Sequence, residues 1–172
     1  MKPELSPASE KYLCAILSLE REKRVARVKD IAEQVGVHKS TVTGALRRLT
    51  RDGWIDYEPY EAATLTDKGL KTAHLITGQQ RVISNFLQNV LGVDQDLADS
   101  TASEIRHSLD QRVLGRLVCF LAFIEMGTDQ VDGCLEQFRE FSRERLQEKS
   151  CAEWVKEYIK ETEDQDSFVA EE

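Results

Sequence analysis

Apolar residues recur at helical spacing from the start of the chain. Tyr12, Leu13, Ile16, Leu17 and Leu19 make one stripe behind the start signal Ser6-Pro7, which predicts a first helix from Ala8 to about Glu22. A second, short helix is expected over Val28 to Val35 and closed by Gly36. A third follows from about Lys39 to Arg51, with Val42, Ala45, Leu46 and Leu49 turned inward. Gly53 ends it, and Trp54-Ile55-Asp56-Tyr57 and Ala63-Thr64-Leu65-Thr66 then read as short strands around the turn Glu58-Pro59-Tyr60-Glu61. Two helices meeting at Val35-Gly36-Val37, followed by a hairpin, predict a winged helix-turn-helix.

Thr66 or Asp67 should cap a long fourth helix through Leu70, Leu75, Ile76, Val82, Ile83, Phe86, Leu87, Val90 and Leu91, stopped by Gly92 and weakened at Gly78. A short helix follows Val93-Asp94 to about Ser108, and Asp110 caps another from Gln111 to Met126. That last helix is apolar on nearly every side, so it must be covered all round; a homodimer interface through Leu114, Leu117, Val118 and Leu121 is the favoured cover, a central core helix the alternative. Two tail helices are expected, Val131 to about Leu146 and Cys151 to about Glu161, the second behind the capping box Ser150-Cys151-Ala152-Glu153. Their stripes (Val131, Leu135, Phe138; Trp154, Val155, Tyr158, Ile159) should dock on the dimer region or offer a surface to another protein, and from Thr162 the acidic end is expected to be disordered. The fold class is therefore mainly α. A winged helix-turn-helix domain spans residues 1–75, a helical dimerisation domain 76–127, and a helical acidic C-terminal extension 128–172.

At 172 residues the chain is long enough for a sizeable core without disulfides, and Cys14, Cys119, Cys134 and Cys151 form no CxxC pair, so they are expected to be reduced. No apolar run approaches the roughly 20 residues of a membrane span, and the first residues lack the apolar core of a signal peptide, so a cytoplasmic location is expected. The net charge of -8 is divided unevenly. Residues 21–51 carry nine Lys and Arg against three acids, whereas residues 129–172 carry fourteen acids against six bases. Exposed charges are screened over about 8 to 10 Å, so the local basic patch governs encounter with phosphates. That patch coincides with the helix-turn-helix, which points to double-stranded DNA as the partner. Candidate contacts are Arg27, His38, Lys39, Ser40, Thr41, Thr43, Arg47 and Arg48: small polar side chains that fit the major groove, flanked by cations that hold the register. A solvated basic face on a protein-docking scaffold is the rival reading. Catalysis is not expected, since no P-loop, no GxGxxG after a strand and no HExxH is present.

The run from Ser9 to Met126 resembles the diphtheria-toxin-repressor and manganese-transport-regulator family of metal-dependent repressors. The resemblance rests on Ala26-Arg27-Val28-Lys29-Asp30-Ile31-Ala32-Glu33, Val37-His38-Lys39-Ser40-Thr41-Val42-Thr43, Tyr57-Glu58-Pro59-Tyr60, Thr64-Leu65-Thr66 and Leu91-Gly92-Val93-Asp94 in that order. It implies a homodimer that binds a palindromic operator, in relatives once iron or manganese fills a site between the two domains. The positions matching the family's ligands are Lys11 and Cys14 on the first helix, Gln80 on the long helix, and Ser103, Arg106 and His107 on the next; only His107 keeps a ligand type. Ser84 and Asp99 match ancillary ligands, of which Asp99 alone suits a metal.

If the Lys11 and Arg106 heads pointed into the site, each would repel a divalent ion at ~5 Å by about 6 to 7 kcal/mol at an effective dielectric near 20. Hard ions such as manganese are thus disfavoured. Three alternatives stay open: a transcription regulator, expected to be a repressor, whose metal switch is lost or altered, with Lys11 and Arg106 tying the domains together through Asp99 or Glu104; a transition-metal or redox sensor using Cys14 with His107, or Cys134 with Cys151; and a protein-interaction scaffold. The cofactor is accordingly either none or, by resemblance alone, iron, manganese or zinc. Cys14 is expected to serve as a small core residue and His107 as a hydrogen-bonded core or interface residue.

Overall fold

The computed structural model describes residues 5–23, 25–127 and 129–169. The first four residues, read above for a targeting signal, lie outside the described residues, as does Arg24 of the basic patch. Helix α1 spans Pro7–Lys23, α2 Val28–Val35 and α3 Lys39–Arg51. Strands β1 (Ile55–Asp56) and β2 (Thr64–Leu65) pair antiparallel, Ile55 opposite Leu65. Ala26 adds an isolated bridge to Ala63, so the chain between α1 and α2 forms a third rung of the wing's base. Helix α4 follows at Asp67–Asn89, then α5 at Gln95–Ile105, a 3-10 turn at Arg106–Ser108, α6 at Gln111–Glu125, α7 at Asp129–Glu148 and α8 at Cys151–Val169.

The head closes around the apolar faces expected of it. Leu13, Ile16, Ile31, Val42, Leu46, Leu49 and Ile55 are buried in one cluster, with Trp54 and Ala63 from the wing's base. Gly36 sits at φ 74°, the left-handed backbone that lets α2 stop and the chain turn toward α3. Helix α1 packs on α2, α3, β2 and α4, so it is the common wall between the head and everything after it. Glu20 on α1 accepts the Leu65 amide at 3.2 Å, fixing the second wing strand to that wall.

Helix α4 starts where Thr66 caps the Gly69 amide. Gly69 must be glycine: a Cβ there would collide with the Trp54 carbonyl oxygen. Gly69→Ala should cost about 2 kcal/mol or more, the range of forced overpacking, read as a lower denaturant midpoint with unchanged slope. The helix is unbroken at Gly78 and across residues 75–76. Its buried side matches the expected one at Ile76, Ile83 and Val90 and differs elsewhere. Leu70, Leu75 and Leu91 are exposed, whereas Ala73, Ile76, Gln79, Ile83 and Ser84 are buried. Small and polar residues face inward because α1 and α5 press closely on this helix, α5 through Ala98 and Ala102.

Helix α6 is capped by Asp110 and rests on α4, where Phe120 meets Phe86 edge-on at 6.1 Å. Leu114, Leu117, Leu121 and Ile124 are half-buried, while Val113, Val118, Phe120 and Phe123 stay exposed, and so does Cys119. The tail helices dock less than expected. Arg139 on α7 donates to the Asn89 carbonyl, but Phe138, Val155, Tyr158 and Ile159 remain exposed. Trp154 holds α8 to α7 through its indole N–H on the Arg145 carbonyl at 2.9 Å, and Ser150 and Glu153 form the expected capping box. With no glycine or proline after Cys151, α8 runs to Val169, past the expected end near Glu161, instead of turning disordered at Thr162; residues 170–172 lie outside the described residues.

Candidate functional site

Helix α3 offers its residues to solvent along one edge. Lys39, Thr43 and Arg47, four residues apart, line a groove whose far wall is the wing, Tyr57 and Pro59 to Ala62, and whose floor carries Val25, Arg27, Val28 and Lys29. Four cations thus converge on one concave strip: Arg27, which precedes α2, Lys29 in its first turn, and Lys39 and Arg47 on α3. Thr43 turns its hydroxyl back to the Lys39 carbonyl at 3.0 Å, leaving its methyl group to the groove. Ser40 and Thr41 are exposed in the first turn, and His38 precedes α3 with its imidazole not spent on a cap.

Arg48 behaves differently. Its guanidinium donates to the hydroxyl of buried Ser9 on α1 at 3.1 Å, and it does not line the groove. Two residues that composition alone did not single out as contacts join the strip. Lys29 stands on the groove's floor, and Tyr60 occupies the tip of the wing at φ 74° with its side chain fully exposed. Left-handed backbone in a tyrosine is uncommon and costs energy. Tyr60 follows Pro59 in the turn that Glu61 closes by donating its amide to the Glu58 carbonyl at 3.0 Å.

Behind the head, α1, α2, α4, α5 and the 3-10 turn line an open cavity of about 470 Å³. All six positions matched above to metal ligands, Lys11, Cys14, Gln80, Ser103, Arg106 and His107, line it. Arg106 dominates. Its side chain is 9% exposed; Nη2 donates to the Glu10 carboxylate on α1 and contacts His107, and Nη1 donates to Gln79 on α4 at 3.3 Å. The ion pair therefore runs to Glu10, whereas Asp99 or Glu104 was expected. Asp99 accepts the Ser84 hydroxyl at 2.5 Å, and Lys11 forms no ion pair among the described residues. His107 is exposed, with Nδ1 3.4 Å from Glu10, and is no core residue.

The donor set here does not fit a divalent metal. Two cations, three hydroxyls, two amides, a thiol and one imidazole surround the place, and its one carboxylate, Glu10, is held by Arg106. Burial pushes the Cys14 thiol above its ordinary value, with the Thr77 hydrogen bond and Arg106 opposing only in part, so it stays protonated near neutrality and is a poor ligand or nucleophile. Among the described residues no three His, Cys, Asp or Glu gather to hold an ion, and Cys134 and Cys151 are exposed on α7 and α8.

Comparison with known proteins agrees with this layout. Residues 4–63 match the family model of the iron dependent repressor N-terminal DNA binding domain, and residues 66–130 that of the iron dependent repressor metal binding and dimerisation domain. An uncharacterized HTH-type transcriptional regulator of Methanocaldococcus jannaschii is 33% identical over 118 residues, 68% of this chain and 94% of that protein. The HTH-type transcriptional regulator MntR of Bacillus subtilis is 32% identical over 120 residues, 70% of this chain and 84% of that one. Among solved structures, a manganese-dependent transcriptional repressor in complex with manganese superposes with TM-score 0.61 at 29% identity, over 67% of this chain and 53% of its own. The manganese regulator SloR gives 0.60 at 26%, over 67% and 54%. The chain spans about half the length of these solved relatives.

Proposed function

Given that this chain belongs to the iron-dependent repressor family, whose members are DNA-binding transcription regulators and not enzymes, we propose that it represses by reading a palindromic operator as a homodimer, with no bound cation needed for alignment. The groove between α3 and the wing supports the DNA half of this reading: Lys39 and Arg47 face base edges or phosphates, Thr43 faces the major groove with His38, Ser40 and Thr41, which are exposed at the start of α3 outside that groove, and Arg27 and Lys29 grip the backbone beside the wing. Arg48 is left out, its guanidinium serving α1. The exposed apolar side of α6 supports the dimer, whose interface takes Leu114, Leu117, Val118 and Leu121 with Phe120 and Phe123 beside them. The division into a head (1–75), a dimerisation region (76–127) and an extension (128–172) follows, α4 belonging to both of the first two. Exposed Phe138, Phe141 and Val155 on the extension support a second surface for protein contact. No described helix is long and apolar enough to cross a membrane, and the role itself calls for the cytoplasm, where the DNA is.

The observation that carries the cation-free reading is the Arg106–Glu10 pair. It joins the 3-10 turn after α5 to the first turn of α1 across the place where relatives are named for their metal, so a guanidinium carries the positive charge. Operator binding should therefore be the same in excess chelator and in added manganese, iron or zinc. Binding to DNA selected from a random pool, measured by anisotropy under both conditions, checks this, and strict dependence on any of the three metals would refute it. In the selected sequences the two half-sites should lie about 34 Å apart or at a multiple of that distance.

A further inference from the structure

The cavity beside the Arg106–Glu10 pair is larger than the pair needs. At about 470 Å³ it falls in the range of small-molecule sites, and its walls carry both characters. Pro7, Ala15, Val35 and Ile76 are apolar, whereas Lys11, Arg106, Ser103 and Gln80 bring donors, with Glu10 the one carboxylate. Donors on the polar side are left without acceptors. Lys11 has no hydrogen bond or ion pair among the described residues, and Ser103, which accepts from Gln80, keeps its own proton to give.

Arg106 shows the imbalance most directly. The Nε–H and one Nη2–H of a guanidinium point the same way and together receive a carboxylate or phosphate in two parallel bonds. In Arg106 only the Nη2 half of that edge is used, by Glu10, while the buried Nε has no acceptor at all. A buried donor left unmade is a standing cost, so an oxyanion that took both positions would be favoured there and would compete with Glu10 for the guanidinium.

We propose that this cavity binds a small organic oxyanion, a carboxylate or a phosphate ester with a short apolar body, whose charged end is taken by Lys11 and Arg106 and whose body lies against Ala15, Val35 and Ile76. The inference rests on the role given above to the Arg106–Glu10 pair. Drawing Arg106 off Glu10 frees the first turn of α1 from the dimerisation region, so the ligand weakens operator binding and acts as an inducer.

Benzoate, phenylphosphate and inorganic phosphate, with neutral benzamide as control, probe the site by calorimetric titration of the full chain. The expected result is saturable binding of benzoate or phenylphosphate, one per protomer, weakened about tenfold or more by Lys11→Gln. Lys11 is exposed and outside the DNA groove, so Lys11→Gln should bind operator normally but lose its response to the anion. Preference for benzoate or for phenylphosphate identifies the acid or the ester as the physiological class. The proposal is overturned by absence of saturable binding at about 10 mM of any probe, by binding indifferent to Lys11→Gln, by inorganic phosphate or benzamide binding as tightly as the organic anions, or by bound anion leaving operator affinity unchanged. Failure of the underlying pair is separately visible, because Glu10 and Arg106 variants are read on operator without any anion.

Discussion

Alanine at both Lys39 and Arg47 should lower operator affinity by about a hundredfold or more at physiological salt, each side chain accounting for about 1 to 3 kcal/mol. The two project from one face of α3, two helical turns apart, into the same groove, and both are exposed, so the melting temperature should not move. Salt separates their roles. A residue that contacts phosphate releases counterions, and its loss flattens the dependence of affinity on salt by about one unit of slope; a residue bonded to a base edge leaves the slope alone and relaxes preference at one position. Anisotropy titrations of the single variants at two salt concentrations assign each. Arg48→Ala is the internal control, since its guanidinium turns to Ser9 and away from the groove, and its loss should leave the slope alone. Unchanged affinity in the double variant would remove the groove from the interface.

The second large effect is expected at the Arg106–Glu10 pair. The two side chains are 9% and 16% exposed, so removing one leaves the other's charge nearly dry. Arg106→Ala or Glu10→Ala should cost about 3 kcal/mol in chemical denaturation, the lower end of what breaking a buried pair does. Replacing both by methionine should recover most of that stability, because an apolar pair of similar volume often matches a buried ion pair. Operator affinity is the discriminating measurement. If the pair fixes the head relative to the dimerisation region, the methionine variant folds well and binds DNA poorly; if it binds as tightly as the wild type, the pair is packing and nothing more.

The head was legible because its signals are local. Apolar spacing marked α2 and α3, Gly36 and Gly53 marked where they stop, and the basic excess marked the face. Long-range choices were not. Glu10 and Arg106 are 96 residues apart, and nothing in their spacing favours that partnership over Asp99 or Glu104. Arg47 and Arg48 look equivalent as letters, yet a step of about 100° around the helix sends one to the groove and the other to α1. The same holds on α4, where close packing by α5 buries Gln79 and Ser84 and leaves Leu75 outside, against what hydropathy favours. The bridge between Ala26 and Ala63 is likewise a product of tertiary closure.

Ser9 and Glu10 are neighbours in the opening turn of α1, and they hold Arg48 of the reading helix and Arg106 of the dimerisation side. Beside the packing of α1 on α4, the two halves of the protein are thus coupled at two adjacent residues. Fraying of that one turn would loosen both bonds together. Cargo fused ahead of Ser6 would press on this coupling directly, whereas the same cargo behind Val169 would leave it free to turn.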